Sequence, residues 1–278
     1  MVEQDYSQDN ELEGLDDTDK DSTDSSTLHP AIQSVVRMLF DVKQMQRVLL
    51  EMDIDMDKMP LGKLSRAHIQ KGYDCLSEIQ DFIAEGNEHG LIAACNKFYS
   101  IIPRSFGNKK PPVINSLPML KAELEMVESL LDMSTAVSMM KVEKKEEGAE
   151  EGKGEKARPP SAIDLHYQKL KTDMRALERD DPTYVLVSQY LQNTHAETHG
   201  AYDLELLDVF DIERQGEKSR FAKHQDDTNR MLLWHGSRTT NFVGILSQGL
   251  RIAPPEAPAT GQAFVTHKNA ADNSLYQC

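Results

Sequence analysis

A chain of 278 residues with 31 Lys and Arg against 46 Asp and Glu, 39% hydrophobic and 28% charged, carries a net charge of −15 and is long enough for one large or two small domains. That balance opposes a whole-chain grip on nucleic-acid phosphates, no apolar run reaches the ~18 residues that span a bilayer, and the acidic start is the reverse of a signal peptide. Three widely spaced cysteines, Cys75, Cys95 and Cys278, make neither a disulfide framework nor a cysteine-rich zinc site, so a soluble intracellular protein with reduced thiols is predicted.

Residues 1–27 hold ten acidic side chains, from Glu3 to Asp24, against Lys20 alone, which predicts an acidic disordered tail. Residues 28–140 read as an all-α helical bundle, because apolar residues recur at helical spacing throughout. One stripe runs through Ile32, Val35, Val36, Leu39, Val42 and Met45 behind Pro30, a good first-turn residue. A second, from Ile69 to Ile83, opens at Ser65 as an N-cap and closes at Gly86. Leu91, Ala94, Phe98 and Ile101 give a third; Leu120, Leu124, Val127 and Leu131 give a fourth, with a last turn or two over 134–141. The methionines on these stripes read as gap-filling core. Residues 141–160 then hold six basic and six acidic side chains, three glycines and Pro159-Pro160. They leave nothing to bury and predict a charged linker.

From residue 161 the pattern becomes mixed. Leu170, Thr172, Met174 and Ala176 alternate with charged residues as a strand does. Asp181-Pro182 opens a helix with the stripe Tyr184, Val187 and Leu191. Tyr202 to Ile212 alternate again, with Leu207 and Val209 on the second face, as in a strand covered on both sides. Gly216 breaks that run and a polar helical stretch follows. Met231-Leu232-Leu233-Trp234 reads as a buried strand entering His235-Gly236-Ser237, and Phe242, Ile245 and Leu246 form a final helix ended by Gly249. The fold class expected is α+β: an all-α bundle followed by a partial mixed α/β domain.

A strand that ends in His-Gly-Ser and turns into a helix sets a ring, backbone amides and a hydroxyl at a sheet edge. The glycine admits a ligand close to the backbone, and the turn near Thr239 and Thr240 offers amide donors. Taken alone, these residues describe a turn histidine bonded to backbone better than a ligand site. His195 and His199 do not read as a metal pair: Glu197 stands two residues after the first histidine and Gly200 ends the segment, unlike the zinc-protease pattern.

The longer run decides between these readings. Leu232-Leu233-Trp234-His235-Gly236-Ser237-Arg238-Thr239-Thr240-Asn241-Phe242, then Gly244 through Pro258 and Thr260-Gly261, resembles the start of the catalytic domain of the DNA-damage-responsive poly(ADP-ribose) polymerases. Met59 through Ser65 and Phe98-Tyr99 through Phe106-Gly107 resemble the helical regulatory subdomain of that family. Tyr167 through Asp173 and Asn193 through Ala196 resemble the opening of its transferase domain. The resemblance covers about residues 30–261. It implies a helical regulatory subdomain over 28–140, a partial ADP-ribosyltransferase domain over 161–261 and a divergent tail over 262–278. NAD is the implied substrate. By resemblance His235, the catalytic candidate, holds a ribose hydroxyl of NAD, the backbone of Gly236 bonds the nicotinamide carboxamide, Ser237 and Asn241 face the adenosine half, and Arg251 starts the loop that lids the donor pocket.

The family pattern also fails in places. Relatives leave the Thr260-Gly261 step through a Tyr- and Gly-rich segment that supplies a stacking tyrosine and a serine, and a later strand brings a glutamate. Residues 262–278 show no such motif. That carboxylate stabilises charge developing on the ribose, an effect commonly worth several kcal/mol, so this chain is expected to be a truncated, weakly active or inactive form. A sheet without its later strands also exposes an edge and apolar faces. The alternative reading is a non-enzymatic regulatory or interaction fragment built on the bundle. Where the family commonly carries Asp before Phe-Gly, this chain has Pro103-Arg104-Ser105-Phe106-Gly107, so the aspartate's contact is not expected. By resemblance the partners are acceptor proteins and poly(ADP-ribose), and the location is the nucleus. With one tryptophan and three cysteines, no direct DNA-binding module of the kinds known in relatives is expected, and no membrane.

Overall fold

The apolar stripe from Ile32 to Met45 reads as one helix, but an aspartate divides it. Asp41 leaves helical geometry, and its carboxylate accepts from the Gln44 amide at 2.9 Å as an N-cap, the arrangement in which a short acidic side chain stabilises a helix most. In the computed structural model, which describes residues 26–147, 161–194 and 204–250, helix α1 therefore spans Pro30–Leu39 and α2 spans Val42–Glu51. The expected acidic tail up to residue 25, the linker from 148, the histidine pair 195 and 199, Arg251 and the tail 262–278 lie outside the described residues.

The remaining helices of the first half follow their caps. α3, Arg66–Glu85, begins at Ser65, whose hydroxyl accepts from the His68 amide at 3.3 Å, and ends at Gly86 with φ of 68°, a backbone turn that a Cβ would strain. Asn87 caps α4, Glu88–Ile101, by accepting from the Gly90 amide. α5 is longer than the sequence reading allows. It spans Leu117–Glu147, because Lys and Glu are good helix formers and no glycine interrupts the run before Gly148. The first seven residues of the expected linker are thus helical.

Contacts divide the chain into two units. In the first, α3 packs on α4 and α5, burying Ile69, Leu76, Phe98, Val127 and Leu130. Two loops are tied as well: Ile54 and Arg104 form an antiparallel bridge, and the Ser105 amide donates to the Asp53 carbonyl at 2.6 Å. Arg104, two residues before Phe106 in that turn, donates from Nη1 to both carboxylate oxygens of Glu123, at 3.0 and 2.7 Å. It serves here as the partner of a largely buried acid.

The second unit contains α1 together with the residues from 161 onward. α1 packs on α6, Ala162–Leu170, and on the first strand; the expected bundle 28–140 would have grouped it with α2. Strand β1, Thr172–Ala176, pairs antiparallel with β2, Phe210–Arg214, from Thr172 opposite Arg214 to Ala176 opposite Phe210. Between them lies α7, Pro182–Thr194, and after β2 come α8, Glu217–Phe221, and α9, Phe242–Gln248. Asp181 opens α7 by accepting from the Thr183 amide at 2.8 Å, and that bond holds its carboxyl below the ordinary value.

Two expected strands are corrected. Residues 204–209 carry no strand, and Leu207 is exposed. Met231 to Trp234 form neither strand nor buried core. A strand needs a ladder partner, and among the described residues the sheet is β1 and β2 alone. The α+β class holds. Among the described residues no helix is long and apolar enough to cross a membrane.

Burial outweighs the adjacent guanidinium and holds the Glu123 carboxyl above the ordinary value. The stability that this group contributes is therefore full below the ordinary carboxylate range and is lost as pH rises through its folded-state value. Urea melts of Glu123→Gln and wild type should diverge as pH rises from about 4 to 7, the variant gaining relative to wild type. Arg104→Met should cost on the order of 2–3 kcal/mol at pH 7, because it strands the carboxylate. Parallel curves for Glu123→Gln and wild type would contradict this account.

Candidate functional site

The site begins with the two strands, which hold α9 in place. Thr172, at the start of β1, donates its hydroxyl to the Leu246 carbonyl at 2.8 Å. Arg214, opposite it at the end of β2, donates from Nη1 to the Ile245 carbonyl at 3.2 Å. Both acceptors lie in the last turn of α9, where a cation is favoured, and the Ile245 carbonyl also accepts from the Gly249 amide at 2.8 Å. The other arm of Arg214 bonds Glu217 at the start of α8.

Gly249 closes α9 beneath the same guanidinium. Its φ is 86°, and a Cβ there would stand 3.2 Å from Arg214 Cζ. Glycine is needed for both the conformation and the close approach.

With α9 fixed, the turn before it lines a cavity of about 720 Å³ in the second unit. His235, Gly236 and Ser237 form its polar edge beside Arg214 and Glu217, and the rest is mostly apolar: Met174 and Phe210 from the sheet, Trp234, and Phe242 and Leu246 from α9. Val35, Met38 and Leu39 of α1 contribute a further part. The Asn241 amide donates to Ser237 Oγ at 3.0 Å, so two candidate residues are joined directly. His235 is exposed, and Gly236 and Ser237 are half-buried. α9 has seven residues, and Asn241 makes no side-chain cap at its start, so the amide donors expected near Thr239 belong to a short 3₁₀ turn, Thr239–Asn241.

Sequence reasoning brought His235, Gly236, Ser237 and Asn241 to one place, and the coordinates bring them together. It missed Arg214 and the wall from α1. Arg214 stands in a run of alternating charges, Asp211, Glu213 and Arg214, where nothing local distinguishes it. No cluster of three metal-binding side chains occurs among the described residues.

Two family profiles match the chain. The regulatory domain of poly(ADP-ribose) polymerase matches residues 26–167, and the poly(ADP-ribose) polymerase catalytic domain matches residues 182–266. The second match continues five residues past Gly261, where the sequence reading had the resemblance end. Among curated relatives, poly(ADP-ribose) polymerase 1 of Gallus gallus is 45% identical over 240 residues, covering 86% of this chain and 23% of its own length. Polymerase 1 of Arabidopsis thaliana is 41% identical, with the same shares covered. Poly(ADP-ribose) polymerase 2 of Homo sapiens is 40% identical over 272 residues, covering 95% of this chain and 44% of its own length. A helical regulatory domain joined to the opening of a transferase domain is thus matched by profile and by relatives alike, and the chain belongs to the poly(ADP-ribose) polymerase family. It spans about a quarter of the length of the polymerase 1 relatives and under half of polymerase 2.

Gly249→Ala should destabilise the second unit by about 1–3 kcal/mol, since strain at positive φ adds to the clash with the guanidinium. Chemical denaturation followed by circular dichroism reads this directly. A variant as stable as wild type would show that the Arg214 contact does not hold in solution.

Proposed function

We propose that the wall formed by His235, Gly236 and Ser237 holds NAD, as one side of the donor site for ADP-ribosyl transfer to protein side chains and to growing ADP-ribose chains. The supporting observation is that three consecutive residues of the family motif, one of them bonded to Asn241, line a single cavity whose volume falls in the range typical of small-molecule sites. In this reading the His235 imidazole takes a ribose hydroxyl and the Gly236 peptide takes the nicotinamide carboxamide. Ser237 and Asn241 face the adenosine half, and Arg251 opens the lid. The apolar floor of Phe242, Leu246 and Trp234 keeps water from the donor and strengthens each of these bonds. Acceptor proteins and poly(ADP-ribose) as partners, a nuclear location and a part in DNA repair belong to the same proposal.

A second reading, a non-enzymatic regulatory or interaction fragment built on the helical bundle, is favoured by one observation. Met231, Leu232 and Leu233, beside the site, are 77%, 57% and 42% exposed, which leaves that edge of the donor wall unpacked. Incubating the purified chain with labelled NAD and nicked DNA separates the readings. Under the second, no label is transferred, NAD binds weakly, and His235→Ala changes little beyond stability. Robust automodification, abolished by His235→Ala, would establish the first and sink the second.

A further inference from the structure

Residues 231–238 form neither helix nor strand. A backbone run of that kind, carrying the three residues on which the donor reading rests, has to be held by side chains. α7 supplies them. Tyr190 and Thr194 stand four residues apart and so project from one face of that helix. The Tyr190 ring stacks on the Trp234 indole, with centroids 5.4 Å apart and planes inclined by 21°. Its hydroxyl donates to the Leu232 carbonyl at 2.8 Å. The indole N–H of Trp234 donates to Thr194 Oγ1 at 2.8 Å, and that hydroxyl donates in turn to the Tyr190 carbonyl at 2.7 Å. Every polar group acts in its permitted direction: the indole only donates, while the threonine oxygen accepts with one side and back-bonds its own helix with the other.

We propose that Tyr190 and Thr194 form a clamp on Trp234 that fixes the backbone of His235 and Gly236 for the dinucleotide. They are positioning residues: they act through Trp234 and Leu232 and do not touch the donor. The inference rests on the reading of that wall as an NAD site. Its logic is preorganisation. Leu232 is held by its carbonyl and Trp234 by both ring face and ring nitrogen, so the chain leaves Trp234 in one direction. Without the clamp, the Gly236 amide and the His235 ring would have to be ordered at the moment of binding, which weakens affinity without removing any contact to the ligand. No sequence pattern marks the pair, because tyrosine and threonine one turn apart on a helix have no meaning until the indole is seen against them.

Trp234 is the single tryptophan of the chain, so its emission reports the clamp. The full chain and the variants Tyr190→Phe, Thr194→Val and Thr194→Ser are titrated calorimetrically with carba-NAD, in which carbon replaces the ribosyl ring oxygen so that nicotinamide cannot leave. Indole emission and hydrogen exchange at the Gly236 amide are recorded on the same samples. Tyr190→Phe keeps the stack and loses one bond; Thr194→Val keeps the shape and loses the indole's acceptor. Each should weaken binding roughly three- to tenfold, the effect of one hydrogen bond, with altered emission and faster exchange at Gly236. Thr194→Ser keeps the hydroxyl and should bind as wild type does. Wild-type affinity in both Tyr190→Phe and Thr194→Val overturns the clamp while leaving the donor reading intact. So does Thr194→Ser behaving no better than Thr194→Val, which marks general destabilisation. A wild-type chain that takes up no analogue overturns the donor reading instead, and with it the clamp's part in binding; exchange at Gly236 then still decides whether the clamp orders the segment.

Discussion

Two carbonyls at the end of α9 carry the arrangement of the second unit. Ile245 and Leu246 present their oxygens to Arg214 and Thr172, which face each other across the β1–β2 ladder. A helix of seven residues has too few internal bonds to persist in water by itself. Anchoring its last turn to both strands fixes it, and with it the turn that begins at His235. The glycine at 249 follows from the same constraint, since the guanidinium that bonds Ile245 comes within 3.2 Å of where a Cβ would stand. Geometry at the candidate site is therefore set from the strand ends inward.

Local chemistry made much of this legible. Ser65, Gly86 and Asp181 announce helix ends because their side chains or conformations act on the backbone beside them, and such signals need no tertiary information. His235 through Asn241 were legible for another reason: the motif is contiguous, so resemblance alone could gather it. The failures share a cause as well. Met231 to Trp234 and Leu204 to Val209 have strand composition, but a strand is a relation between two segments, and composition describes only one of them. Asp41 shows a local signal overriding a longer pattern, since the apolar period runs straight through the residue that breaks the helix.

The regulatory profile starts at residue 26, yet the helix at its start, α1, packs with α6 and β1 and lines the cavity through Val35, Met38 and Leu39. A family match and a folding unit need not share a boundary, because a folding unit records which apolar faces are buried together. Asp41 is the residue at which the two diverge. By capping α2 it lets the chain turn between Leu39 and Val42, so one continuous apolar stripe can serve two cores.

Side-chain clamping and ladder pairing are alternative ways to hold a strand-like segment. In a ladder, each backbone group is satisfied by a neighbour and the side chains are free to face a core. In residues 231–234 the ladder is missing, and the bonds at Leu232 and Trp234 come from α7. Tyrosine and threonine suit that task, because each offers a hydroxyl that reaches a defined partner at modest entropic cost. The bonds thus fall on alternate residues, the Leu232 carbonyl and the Trp234 indole, although Met231, Leu232 and Leu233 are all exposed. That alternation is the period of a strand. The contiguous apolar run that suggested a buried strand does not mark which residues are held, because what holds them is a helix.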